Sequence, residues 1–323
     1  KKNRKILFGG YRKDIEQTGA SLTNSKDVLG RNRASSGLIT LGANDRLTNI
    51  ELTTLGYQME PAKNFVFRVL GSHRTLKSAS DTFSLSYYDE NGNIKNRIKQ
   101  SELELGINFT PGRKTSGYGV ERRVINGGDF PSFFLGYTYG LEGVLQSDFD
   151  YHRIQAMYTQ PWNVGGLGRL YTTIELGKIV GTVPLGLLSP IPGNQTIWSI
   201  YNTFTQLDFY EFVSDTYASF HLKHNFGGRL FGRVPWLREL NLRELVGFRS
   251  VWGQLSESNN SINVGIDNLP IRYQSPEDIY WEWSAGVGNI FKILAIEFNF
   301  RGNYLDNPGI RKIGVTGSLS FSF

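Results

Sequence analysis

The most constraining feature of the chain is the strict two-residue alternation across residues 292–323. Leu294, Ile296, Phe298 and Phe300 alternate with Ala295, Glu297, Asn299 and Arg301. After a polar turn at 306–309, Ile313, Val315, Gly317, Leu319, Phe321 and Phe323 alternate with Gly314, Thr316, Ser318, Ser320 and Ser322. Period two places successive side chains on opposite faces of a strand, so each strand has one apolar and one polar face. A soluble β-sandwich strand reads the same way, and alternation alone does not say which solvent each face meets. Glu297 and Arg301 stand in the middle of the polar face.

The remaining residues supply more such strands. The chain has 323 residues with 37 Gly, 16 Tyr and 21 Phe, and its mean hydropathy of −0.30 is too polar for a bundle of membrane helices. A β-barrel that hides half of its strand residues in a polar lumen has this composition, with aromatics at the interfaces. The longest uncharged stretch, 179–207, is interrupted by prolines and glycines, whereas a spanning helix needs about 20 continuous apolar residues. Without cysteine there is no disulfide, thiolate ligand or cysteine nucleophile. The net charge of +6 is spread along the chain rather than gathered in a stripe, which argues against nucleic acid as a partner. The closing strand, amphipathic and ending on Phe323, resembles the C-terminal assembly signal of bacterial outer-membrane barrels, with Phe321 and Phe323 carrying it. No secretion signal leads the chain, which reads as mature or as a fragment.

About thirteen strands are expected: 5–17, 37–43, 47–58, 64–74, 101–109, 133–141, 150–160, 168–180, 216–223, 241–255, 279–287 and the closing pair, with a short one at 120–125. The segment 5–17 has mixed faces, and 241–255 has a broken pattern that suggests a bulge. Residues 75–99 read as a long polar loop. An outer-membrane barrel sorts its connections, short on the periplasmic side and long outside. With Phe323 placed in the periplasm, 75–99, 181–214 and 256–276 fall outside, and 60–63, 161–166 and 289–293 fall inside. The connections 143–149 and 111–131 run against the trend. The fold class expected is therefore all-β, an antiparallel transmembrane β-barrel over residues 1–323, in the outer membrane of a Gram-negative bacterium.

Residues on the polar faces are expected to line the lumen: Glu102, Glu104, Arg153, Arg169, Glu175, His221, Lys223, Glu282, Glu297 and Arg301. Such side chains could set the selectivity of a pore, but their mixed signs favour mutual pairing. Trp281 and Trp283 share an apolar face and read as membrane-interface anchors. His221 lies near Ser219, His224 and Asp215 in the chain, residue types that a hydrolase site uses; alternation puts His221 and Ser219 on one face and His224 on the other. Neither this group nor His152 with Asp148 and Asp150 has the spacing of a metal site. No catalytic residue, metal or cofactor is expected.

Short motifs in sequence order carry a family resemblance. They are Asp148-Phe149-Asp150-Tyr151-His152, Glu175-Leu176-Gly177-Lys178-Ile179-Val180-Gly181, Pro192-Gly193-Asn194-Gln195, Tyr210-Glu211-Phe212-Val213-Ser214-Asp215 and Pro235-Trp236-Leu237-Arg238-Glu239-Leu240. Together they resemble the Bacteroidota outer-membrane family catalogued as domain of unknown function 5686. In that family a carboxypeptidase-regulatory-like domain and a periplasmic region precede a C-terminal barrel. The likeness covers most of 100–323 and is loose over the first hundred residues, so it implies the barrel part, short of its earliest strands.

That barrel is distantly similar to the BamA/surface-antigen superfamily of sixteen-stranded barrels, in which the loop corresponding to 181–214 folds into the lumen. The superfamily's Arg-Gly-Phe motif is absent here. The resemblance makes Asn194, Gln195, Trp198, Tyr201, Phe204, Glu211 and Asp215 the lumen-loop candidates. It implies an assembly or translocation-type barrel, or an accessory barrel of a larger outer-membrane complex, with a plugged lumen. A gated or passive channel for small solutes is the alternative, and a membrane-embedded hydrolase a further one. The partners implied are the lipid bilayer and lipopolysaccharide, the barrel-assembly machinery, and other outer-membrane or periplasmic proteins.

Overall fold

The computed structural model describes residues 4–16, 46–117, 123–125, 130–307 and 309–319. Twelve strands form one antiparallel sheet in which every neighbour in space is the neighbour in sequence. They are β1 (Arg4–Glu16), β2 (Thr48–Ala62), β3 (Phe65–Ser78), β4 (Ile98–Phe109), β5 (Ser132–Gly140) and β6 (Tyr151–Asn163). They continue as β7 (Arg169–Val180), β8 (Thr216–Asn225), β9 (Arg243–Gln254), β10 (Tyr280–Ile290), β11 (Leu294–Arg301) and β12 (Ile313–Leu319). Helix is confined to single turns, among them Pro235–Arg238 and Glu257–Ser261. No described helix is long and apolar enough to cross a membrane, which has no bearing on strands.

Register follows the alternation. Glu282 pairs with Arg301 across β10–β11, and Glu297 with Thr316 across β11–β12, so the polar residues of adjacent strands share a face. The opposite face exposes apolar side chains strand after strand, such as Leu7, Leu55, Leu135, Ile174, Val246 and Phe298. Trp281 and Trp283 belong to this outer face, where Trp283 stacks on Phe300 with ring centroids 4.3 Å apart. Glycine allows aromatics on either face to lie flat on the neighbouring strand. A Cβ on Gly177 would stand 2.2 Å from the ring of inward Tyr217, and one on Gly302 2.3 Å from the ring of outward Trp281.

Connections separate into two ends. At the turn end the sheet reverses through 63–64, 164–168 and 291–293, with longer links at 110–131 and 226–242. In the first of these Asn64 takes φ 63°, a left-handed conformation that Asn tolerates, and its amide donates to Glu60 Oε1 at 2.9 Å. The cap end carries 79–97, 141–150, 181–215, 255–279 and 302–312. Here Ser86–Tyr88 pairs with both Ile94–Lys95 and Asn263–Val264, tying two long connections into a small sheet of their own.

The interior differs from a simple polar lumen. Two apolar clusters occupy it. At the cap end Ile50, Leu76, Phe83, Leu85, Ile98 and Ile179 from the wall and its loops surround Val183, Leu185, Leu187 and Phe209 of the 181–214 connection. Deeper in, Ile191, Phe204, Leu207 and Phe212 of the same connection pack on Tyr217, Val251 and Tyr280. A single loop that touches strands from β2 to β12 requires the sheet to curl around it, and the right-handed twist of antiparallel strands produces that curl.

Several local expectations are corrected. Residues 75–99 are not simply polar loop: β3 and β4 run into them, and Phe83, Leu85 and Tyr87 are buried. β9 is unbulged, paired without a register shift to both neighbours. Its broken pattern arises because apolar residues also take the inward face, Val251 on the apolar core and Leu245 beside a cavity. The irregularities lie between Val287 and Ile290 and between Met59 and Ala62. β1 alternates in exposure from Arg4 to Arg12 but is exposed throughout Lys13, Asp14 and Ile15, and both of its faces mix apolar with charged residues as expected. Of the strand proposed at 120–125, Arg123–Val124 pairs with Thr115–Ser116 outside the main sheet, and 120–122 lie outside the described residues. Residues 37–43, Phe321 and Phe323 lie outside the described residues.

Candidate functional site

Residues 181–214 form the site, an elongated loop held by its own backbone as much as by its side chains. A chain of this length inside a low-dielectric core must find partners for its amides and carbonyls, since each buried group left unpaired costs about 1–3 kcal/mol. The wall provides them. Thr205 N donates to Glu282 Oε1 at 2.8 Å and Gln206 N to Glu282 Oε2 at 3.0 Å, with the Thr205 hydroxyl also on Oε1 at 3.0 Å. The Tyr280 hydroxyl completes the set at 3.1 Å from Oε2. Glu282 is wholly buried (0% exposed) and is balanced by Arg249, whose guanidinium lies 3.0 Å away and also reaches Asn299 at 3.2 Å.

Arginines serve the loop carbonyls. Arg301 donates to Gln206 O at 3.3 Å, pairs with Glu211 of the loop at 2.6 Å, and lies over the Tyr280 ring. Arg311 reaches Asn194 O at 3.2 Å and Leu207 O at 3.4 Å. Arg153 donates to Leu187 O, and Arg46 to Phe209 O. Within the loop, Asn194 Nδ2 bonds Trp198 O at 2.7 Å while its Oδ1 accepts from the Thr196 amide at 2.9 Å, and Gln195 bonds Asp208 at 3.1 Å. Residues 197–199 run beside β12: Gly317 N donates to Ile197 O and Ser199 N to Gly317 O, each at 2.8 Å.

Both ends of the loop are pinned at the cap. Val183 N donates to Asn259 Oδ1 and Leu185 N to Asn263 Oδ1, each at 2.7 Å. Asn259 Nδ2 in turn donates to Asp215 at 2.9 Å, and Ser256 N to the same carboxylate oxygen at 2.7 Å. Burial disfavours the charged Asp215, but these hydrogen bonds outweigh it and hold its carboxyl below the ordinary 3.8. A depressed carboxylate pKa stabilises the fold above the unfolded value, and that contribution is lost as pH falls through the folded value. The thermal midpoint of the wild type is therefore expected to exceed that of Asp215→Asn near neutral pH. The gap should close as the pH is taken below 3.8. A gap that stays constant with pH would remove Asp215 from the lock.

The other polar-face residues are placed as follows. Glu102 meets Arg74 and Tyr151, Glu104 meets Arg68, and Lys223 lies 2.6 Å from Glu297. Glu175 accepts from the Tyr217 hydroxyl at 3.2 Å. His221 has its ring against Phe204, 4.9 Å between centroids. Arg169 is exposed at the turn end. Tyr201, at the loop's lowest reach, is 80% exposed, whereas Phe204 is wholly buried. Beside Tyr201 a cavity of about 440 Å³ remains in the lumen toward the turn end, between 199–202 and strands β7 to β12. Among the described residues no cluster of three or more His, Asp or Glu is placed to hold a metal ion.

Several of the clamping residues gave no sign in the sequence. Arg249 sits in the strand with the broken pattern, and Asn259 and Asn263 sit in what reads as ordinary polar loop. The amides of Thr205 and Gln206 have no side-chain signature at all. The one available hint was that a long connection free of charge up to Asp208 is unlike a solvated loop.

A model described as the family of unknown function (DUF5686) C-terminal domain matches residues 77–266. The chain belongs to this family. The DUF5686 match begins at the end of β3 and runs through the loop to its clamp residues Asn259 and Asn263. No curated protein matches. Among solved structures, the chain is similar to BamA from Haemophilus ducreyi lacking POTRA domains 1-3, with a TM-score of 0.49 and 11% identity over 85% of this chain and 55% of that one. It spans about half the length of that BamA chain. Pseudomonas aeruginosa OccK11 (OpdR) gives a TM-score of 0.33 and 10% identity over 86% of this chain and 68% of that one.

Proposed function

We propose that this DUF5686 chain is an integral outer-membrane β-barrel whose lumen is closed by its own 181–214 loop, and that it works as an assembly-type or accessory barrel rather than as an open pore. The membrane placement rests on the outer face: consecutive strands expose rows of Leu, Ile, Val and Phe, with Trp281 and Trp283 among them. Such a continuous apolar belt is stable against lipid and not against water. The short reversals at one end and the long, packed connections at the other support an orientation with the turn end toward the periplasm and the cap toward lipopolysaccharide.

The observation that carries the plugged reading is the double use of Glu282, which accepts two loop amides while neutralising Arg249. A loop resting loosely in a pore needs no such anchor. The inward charges around the loop, Glu282, Arg249, Arg301 and Arg153, are engaged by one another or by the loop, which supports a non-conducting, non-enzymatic role. The barrel-assembly machinery would be its insertion partner, and other envelope proteins its working partners.

Conductance in planar bilayers tests this. The full-length protein is expected to leave the membrane near baseline. Replacing residues 181–214 by a short Gly-Ser linker is expected to produce steady open channels. Steady conductance from the unmodified protein would sink the reading and favour a channel.

A further inference from the structure

We infer that the cavity at the turn end of the lumen is a binding site for an acidic peptide segment. The cavity, about 440 Å³, is lined by wall residues of six strands and floored by 199–202 of the loop. Four cationic side chains face it: Lys223, Arg243, Arg249 and Lys292. Two of them are already matched, Lys223 by Glu297 at 2.6 Å and Arg249 by Glu282 at 3.0 Å. Arg243 and Lys292 have no carboxylate partner among the described residues. The cavity therefore has a surplus of about two positive charges at its mouth, carried by the exposed Arg243 and Lys292.

The rest of the lining decides between kinds of anion. Leu245, Ala295 and Ile200 line it together with Asn202, Asn225 and Asn289. A free phosphate would leave the apolar part of that surface unused. A peptide uses both, backbone groups on the amide side chains and apolar side chains on Leu245, Ala295 and Ile200, with its carboxylates at Arg243 and Lys292. The neighbouring turn carries Arg229, Arg233 and Arg238, a basic rim that would steer a negatively charged chain toward the opening. The reading rests on the plugged lumen only for the cavity floor, and its test is independent of conductance. Failed binding by a protein that stays closed in bilayers would refute this site and leave the plug standing.

The experiment is fluorescence anisotropy on the purified full-length protein in neutral detergent, with a labelled poly-glutamate peptide and its poly-glutamine counterpart. The glutamate peptide is expected to bind at least ~10-fold more tightly, in a salt-sensitive manner. Arg243→Gln combined with Lys292→Gln should weaken it by ~10-fold or more, while Arg233→Gln with Arg238→Gln on the outer turn should change it by less than ~2-fold. Arg243→Glu with Lys292→Glu should transfer the preference to a poly-lysine probe. Equal weakening by the two glutamine pairs would reduce the effect to diffuse surface charge. Displacement by inorganic phosphate at matching concentration would mark a small-anion site, and displacement by phosphatidylglycerol in the micelle a lipid headgroup site. Any of these three results, or no preference for glutamate over glutamine, overturns the proposal.

Discussion

Glu282→Ala is expected to release the loop from the wall and to destabilise the protein by about 3–5 kcal/mol, the usual cost of removing one partner from a buried charge pair. Two effects act together. Arg249 keeps Asn299 and Thr205 but loses its counter-charge, and it lies in a site with almost no solvent contact. The Thr205 and Gln206 amides lose their acceptor at the same time. Glu282→Gln keeps the shape and one acceptor oxygen and should fall between the two. Urea unfolding from lipid vesicles, followed by tryptophan fluorescence, reads the stability; limited proteolysis within 195–210 reads the loop. A loss below about 1 kcal/mol with the loop still resistant to protease would show that the clasp lies elsewhere.

Phe204→Ala should cost about 3–5 kcal/mol by a different route, the cavity left by a large side chain in a core that cannot collapse. The ring touches His221 of β8 and Tyr280 of β10, at centroid distances of 4.9 and 5.7 Å. Strands in register on both sides leave those residues little room to close the gap. The backbone bonds of this segment, Phe204 N to Pro192 O and Asn194 N to Phe204 O, do not depend on the ring. Tyr201→Ala, three residues earlier and exposed, is the internal comparison and should stay within about 0.5 kcal/mol. Thermal unfolding in the same detergent separates the two, and equal midpoints for both variants would remove Phe204 as an anchor. Since the mechanisms differ but share Tyr280 as a neighbour, Glu282→Ala and Phe204→Ala should not be strictly additive.

Much of the wall was readable because a strand that faces two different solvents must alternate. The period-two pattern at 101–109, 168–180, 279–287 and 294–301 predicted both the strands and the face each residue takes. Where alternation failed as a guide, the interior was the cause. Val251 in β9 and Ile179 in β7 are apolar and inward, because they meet the apolar loop rather than water. A rule that assumes a wet lumen reads such strands as irregular. The same cause hid the buried Phe83, Leu85 and Tyr87 in a connection that looks polar on average.

For the site, the chain by itself determined that residues 181–214 are long, nearly uncharged and aromatic, and that inward carboxylates and arginines alternate along the strands. Those properties follow from local chemistry and strand period. The tertiary structure alone decided which arginine meets which carbonyl, and that Glu282, Asn259 and Asn263 present acceptors to loop amides far away in sequence. Backbone amides and carbonyls are the same at every residue, so a clamp built on them leaves no pattern to read. It exists only once the curled sheet has brought β6, β9, β10 and β11 around the loop.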